Sequence, residues 1–96
     1  MEFVQAIEFD APKDVFKEMT ARYEELMHGE STARRTVLFE DRDRPGHLVQ
    51  LVWFESYESA MKNNDHPGTQ QFATEASERF GEATFRNLDV VDEHQF

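Results

Sequence analysis

The stretch that most constrains this chain is His47 to Phe54, HLVQLVWF, which is apolar on both of the faces a β-strand presents. Successive side chains alternate, so Leu48, Val52 and Phe54 fall on one face and Val49, Leu51 and Trp53 on the other. A chain of 96 residues holds material for about two helices over a sheet, and one helical layer covers one face. Something else must bury the second face. The economical cover is another copy of the same chain, so the sequence predicts a homodimer.

Ninety-six residues fit one domain spanning 1–96. The absence of cysteine removes disulfides, thiolate metal sites and a Cys nucleophile. Twenty acidic against ten basic side chains give a net charge of −10 and leave no Lys/Arg stripe to neutralise phosphates. Nucleic-acid binding is therefore not expected. No apolar run approaches the roughly 20 residues of a membrane span. Met1-Glu2-Phe3 opens directly into strand-like sequence, so no membrane association and a cytoplasmic location are expected.

Along the chain, Glu2 to Asp10 alternates as a strand with Phe3, Gln5, Ile7 and Phe9 on one face. Asp10-Ala11-Pro12 reads as a helix start with Asp10 as the capping acceptor. Val15, Phe16, Met19, Tyr23, Leu26 and Met27 then make one apolar helical stripe that Gly29 stops. Ala33 to Asp41 is a second strand, joined through Asp43-Arg44-Pro45-Gly46 to the strand at His47. Ser56 caps a short helix carrying Tyr57, Ala60 and Met61, interrupted over 63–68. A further helix runs from about Gly68 to Phe80 with Phe72, Ala76 and Phe80 on one face, and Gly81 ends it. Glu82 to Val91 is the last strand. The order β-α-β-β-α-β is an α+β, ferredoxin-like arrangement with both helical regions on one side of a four-stranded antiparallel sheet.

Over Leu51-Val52-Trp53-Phe54-Glu55-Ser56-Tyr57-Glu58-Ser59-Ala60, continuing to Asn63-Asn64-Asp65-His66-Pro67 and Phe72, the chain resembles the antibiotic-biosynthesis-monooxygenase-like group of the dimeric α+β barrel superfamily. The shared pattern is a strand ending in an aromatic, a Ser-capped short helix with Glu-x-Ala, and a Pro kink before the longer helix. The resemblance implies a barrel formed by two sheets across a homodimer, with a pocket between each sheet and its own helices. It leaves the activity wide, because relatives include oxygenases, haem-degrading enzymes and cyclases. Phe54 stands where the family commonly has Trp, and Asn63 where many members have His, which argues against haem degradation.

The candidate chemistry is modest. Gln5 and Gln50 are amides in apolar strands, open to structural pairing or ligand contact. Tyr23 has a ring for the core and a hydroxyl that reaches either its edge or a pocket. Asn63, Asn64, Asp65 and His66 either end one helix and cap the next, or supply catalytic groups, with His66 taking a proton from an enolisable substrate and Asn63 orienting it. Gln50, Phe54, Tyr23, Asn64 and Phe72 are the expected substrate-binding residues. Glu24 and His28 lie four apart on a helix, but His28 more simply complements the helix dipole, so no metal is expected.

Two functions follow as expectations. One is a cofactor-independent monooxygenase, or a related isomerase or cyclase, acting on an aromatic or quinol-type molecule under Phe54. The other is a non-catalytic homodimer that binds a small hydrophobic ligand or serves as a scaffold. The sequence leaves open whether the chain is an enzyme at all.

Overall fold

The computed structural model describes residues 2–96. Strand β1 (Phe3–Asp10) is followed by a 3-10 turn (Lys13–Val15) and helix α1 (Phe16–Met27). The hairpin of β2 (Arg35–Glu40) and β3 (His47–Phe54) comes next. Helices α2 (Tyr57–Asp65) and α3 (Pro67–Phe80) lead to β4 (Thr84–Asp89). The sheet order is β2-β3-β1-β4 with every pair antiparallel, so the two-faced β3 and the alternating β1 are its central strands.

Register fixes which side chains share a face. Phe3 pairs with Phe54, Gln5 with Val52, Ile7 with Gln50 and Phe9 with Leu48, and all eight point toward the helices. Phe3, Phe54 and Ala60 form the dry centre under α2, with Tyr57 edge-on to Phe3 at 5.5 Å. Across the register Val4, Leu51, Trp53 and His47 take the opposite face, where Val37 and Phe39 of β2 and Leu88 of β4 join them.

The helix boundaries are set by local chemistry. Ser56 Oγ accepts from the Ser59 N–H at 3.1 Å and starts α2. His28 adopts the left-handed conformation at φ 52° and closes α1 through its N–H to the Glu24 carbonyl. Gly46 at φ 90° supplies the backbone geometry that turns β2 into β3. At the first turn of α3, Gly68 is held against α1 so closely that a Cβ there would sit 2.4 Å from the Leu26 carbonyl oxygen.

Two expectations are corrected. Asp10 does not cap α1, whose start has no side-chain cap. Its carboxylate is instead bound by His47 Nδ1 at 2.8 Å, because β1–β3 pairing sets Asp10 directly opposite His47. The break between the two later helices is a single residue, since α2 continues through Asp65 and only His66 is extended, at φ −65° and ψ 132°. No helix of the described residues is long and apolar enough to cross a membrane.

Candidate functional site

Helices α1 and α3 pack on one another and stand off from the sheet, leaving a cavity of about 480 Å³ between the layers. The sheet contributes Gln5, Ile7 and Phe9 from β1, Thr36 from β2, Gln50, Val52 and Phe54 from β3, and Phe85 from β4. The helices contribute Phe16, Met19 and Tyr23 from α1, Asn63 and Asn64 from α2, and Phe72, Ala76 and Phe80 from α3. These are mostly the apolar stripes of the sequence, so hydrophobic periodicity also builds the walls. Tyr23 and Phe72 meet edge to face at 5.3 Å across the roof.

Of the seven residues expected to carry function, Gln50, Phe54, Tyr23, Asn63, Asn64 and Phe72 line this cavity. His66 does not. Its Nδ1 accepts from the Gly68 N–H at 2.9 Å, which caps α3, so in the neutral ring the proton sits on Nε2. Nε2 in turn meets Glu30 Oε1 at 2.7 Å, and that hydrogen bond holds the Glu30 carboxyl below its ordinary value. Both nitrogens are engaged within the protein at the α2–α3 junction.

Asn63 is buried, and both atoms of its amide are engaged, the oxygen twice and the nitrogen once. Its Oδ1 accepts from the Thr32 N–H at 3.0 Å and the Ser31 hydroxyl at 3.3 Å, while Nδ2 donates to Tyr23 Oη at 2.9 Å. Ser31 directs its hydrogen to Asn63, so Tyr23 donates its own to Ser31 Oγ at 2.9 Å. This closed ring ties α1, α2 and the approach to β2 together and leaves the phenol without a free proton.

The other amides are arranged differently. Gln5 Nε2 donates to Asn64 Oδ1 at 3.4 Å and Asn87 Oδ1 at 3.3 Å, and Gln50 Nε2 donates to Thr36 Oγ1 at 2.9 Å. Gln5 Oε1, Gln50 Oε1 and Asn64 Nδ2 have no partner among the described residues, and all three residues line the cavity. Gln5 and Gln50 lie on adjacent strands one diagonal step apart, since Gln50 pairs with Ile7. The cavity thus offers amide acceptors together with amide and hydroxyl donors in an apolar box, suited to a flat molecule bearing hydroxyl or carbonyl groups. The sequence marked Gln5 as a buried amide but gave no sign that Asn87 and Thr36 would hold the two glutamines.

The reverse face of the sheet carries charge instead. His47 Nε2 lies 3.0 Å from Glu8 Oε1, and Glu8 is also paired with Arg86. The hydrogen bond from His47 holds the Glu8 carboxyl below its usual range against partial burial, helped by Arg86. Hydrogen bonds to Glu8 and then Asp10 raise His47. Arg35 stacks on Trp53 with its guanidinium carbon 4.5 Å from the ring centroid. Across the helical surface, Arg22 binds Glu75 through Nε and Nη2 at 2.9 and 2.7 Å, depressing that carboxyl to about 2. Among the described residues no three His, Cys, Asp or Glu side chains converge as a metal site.

No protein-family model matches the sequence, and no curated protein is significantly similar to it. Solved structures do match. SnoaB, a cofactor-independent oxygenase from Streptomyces nogalater, superposes with a TM-score of 0.75 at 18% identity, over 96% of this chain and 95% of its own. Rv0793 from Mycobacterium tuberculosis gives 0.69 at 17% identity, over 99% and 100%. An antibiotic biosynthesis monooxygenase gives 0.64 at 20% identity, over 96% and 100%. At such identities the likeness is one of architecture: the chain shares the ferredoxin-like α+β fold of these solved structures.

Proposed function

We propose that the protein is a monooxygenase-like enzyme that oxidises an aromatic or quinol-type small molecule without a cofactor, working as a homodimer. The observation that carries this reading is the apolar, aromatic-walled cavity with two unpartnered amide oxygens, Gln5 Oε1 and Gln50 Oε1, on its floor. A phenolic hydroxyl donating to either oxygen would be held in plane beneath Phe72 and Tyr23. Oxidation of a ring methylene places one atom of dioxygen in the new carbonyl. The other leaves as water with the two methylene hydrogens, and the substrate supplies the electrons. The side chains bind, orient and exclude water. The fold shared with a cofactor-independent oxygenase supports the same reading.

The homodimer is supported by the reverse face, where Phe39 and Leu88 are largely exposed beside half-buried Val49, Leu51 and Trp53. A second copy would cover that row.

Dioxygen uptake with a panel of quinols and anthrones tests the activity. Wild-type protein is expected to consume oxygen with at least one, and Gln50→Leu to lose roughly a hundredfold in kcat/KM through misplacement of the substrate. No uptake by wild type with any member, or uptake indifferent to Gln50→Leu, overturns the assignment. A specific observation favours a second reading, a non-catalytic binding protein: His66 is away from the cavity and the Tyr23 proton is committed to Ser31, which leaves few groups able to accept a proton. Ligand bound and recovered unchanged is its expected signature.

A further inference from the structure

Among the described residues that line the cavity, one carries a charge at neutral pH, and it is negative. Glu82 lies in the short link between α3 and β4, where the cavity meets solvent beside Gly81 and the exposed Phe85. The cations nearest in sequence are both committed elsewhere. Arg79 turns to Glu18 on α1, at 2.8 and 3.3 Å, and stacks on Phe80, while Arg86 projects from the reverse face of the sheet to Glu8. The last carbonyls of α3 also end at this rim and add partial negative charge.

An anionic ligand entering here would surrender its hydration in a largely apolar box whose polar groups are neutral amides and hydroxyls, with no cation among the lining residues. No counter-charge offsets the lost water. Resting on the reading that the cavity binds a small aromatic molecule, we infer that Glu82 makes the rim a charge filter, so that the ligand is an uncharged aromatic hydroxy or carbonyl compound and its carboxylated counterpart is turned away. Glu82 acts on selection and not on chemistry. Being exposed on a link, it can be exchanged without disturbing the core.

The test uses a matched pair, 2-naphthamide and 2-naphthoate, which share ring and shape and differ in charge. Binding is followed through the side-chain amide resonances of Gln5 and Gln50 in nitrogen-15 spectra at low ionic strength, so that only occupants of the cavity are counted. In wild type the amide is expected to bind roughly tenfold or more tighter than the carboxylate. Glu82→Gln should narrow that ratio by roughly threefold, Glu82→Lys further, and added salt should shrink the part due to Glu82. Equal affinity for the two ligands in wild type overturns the filter while leaving the cavity as a binding site. A ratio unchanged in both variants overturns the role of Glu82. Failure of both ligands to move the Gln5 and Gln50 resonances overturns the binding reading and the filter together.

Discussion

The two faces of the sheet are made from the same strands, one residue out of step, and they use polar groups in opposite ways. Toward the helices the polar side chains are amides and hydroxyls, such as Gln5, Gln50, Thr36 and Asn63, and the charged residue at the cavity stands at its rim. On the reverse face the polar side chains are ions matched in pairs, His47 with Glu8 and Asp10, Arg86 with Glu8, and Arg35 over Trp53. A neutral amide can sit in an apolar wall with one atom unpartnered at modest cost, whereas an unpaired charge cannot. The inner face therefore keeps free hydrogen-bonding capacity for a ligand. The outer face has used most of its polar capacity internally and offers apolar area, which suits assembly better than chemistry.

The largest effect that would test this division concerns the inner face itself, where Asn63 and Asn64 are neighbours with different work. Asn63→Ala removes the donor to Tyr23 and the acceptor for Thr32 and Ser31 in a buried setting. A loss of about 3 kcal/mol is expected in urea denaturation. Asn64→Ala touches one long hydrogen bond from Gln5 and should cost about 1 kcal/mol or less while weakening ligand binding. Equal losses for the two would break the distinction between the structural ring and the free amides.

Next in size is the outer face. Leu51 lies on the central strand β3, flanked by Ala6 of β1 and Val37 of β2. Leu51→Lys plants a charge in the middle of the apolar row, and the proposed homodimer should weaken by roughly a hundredfold or more in dissociation constant. Sedimentation velocity reads it as a fall from twice the chain mass to the chain mass. Wild type sedimenting at the chain mass would break the comparison, because the outer face would then have no assembly role.

Much of this geometry could be read from the chain, and the parts that could not share a physical cause. Alternation in 2–10 and 47–54 fixed the faces of β1 and β3, and the stripe Phe72, Ala76, Phe80 fixed the inner side of α3. Local preference named Asp10 as a helix cap, but Asp10 and His47 meet through pairing between residues 37 apart, which no local rule contains. The cap of α3 was expected from the polar run 63–66, and it is His66, whose imidazole nitrogen accepts the Gly68 N–H as a carboxamide would. Asn63 was visible as a polar break, yet its partners Tyr23 and Ser31 lie 40 and 32 residues away. Glu82 looked like any surface acid until the α3–β4 link set it at the cavity rim.

The smallest expected effect sharpens the electrostatic side of the comparison. His47 presents one nitrogen to Asp10 at 2.8 Å and the other to Glu8 at 3.0 Å, and only the imidazolium can donate to both. With its value raised above 6.5, His47 contributes fully below 6.5, and the contribution fades as pH climbs through the folded value. Glu8, held below 4.5, contributes fully above 4.5 and loses its share as pH falls through its folded value. Both terms are complete together between 4.5 and 6.5. The difference in Tm between wild type and His47→Gln should peak in that interval and shrink on the alkaline side. Repeating the series in the Leu51→Lys background separates the two origins of such a peak: a difference that survives there belongs to the sheet of one chain, and one that vanishes belongs to assembly. A difference flat in pH in both backgrounds would mean that His47 is held by packing, and the outer face would then owe nothing to matched charge at that corner.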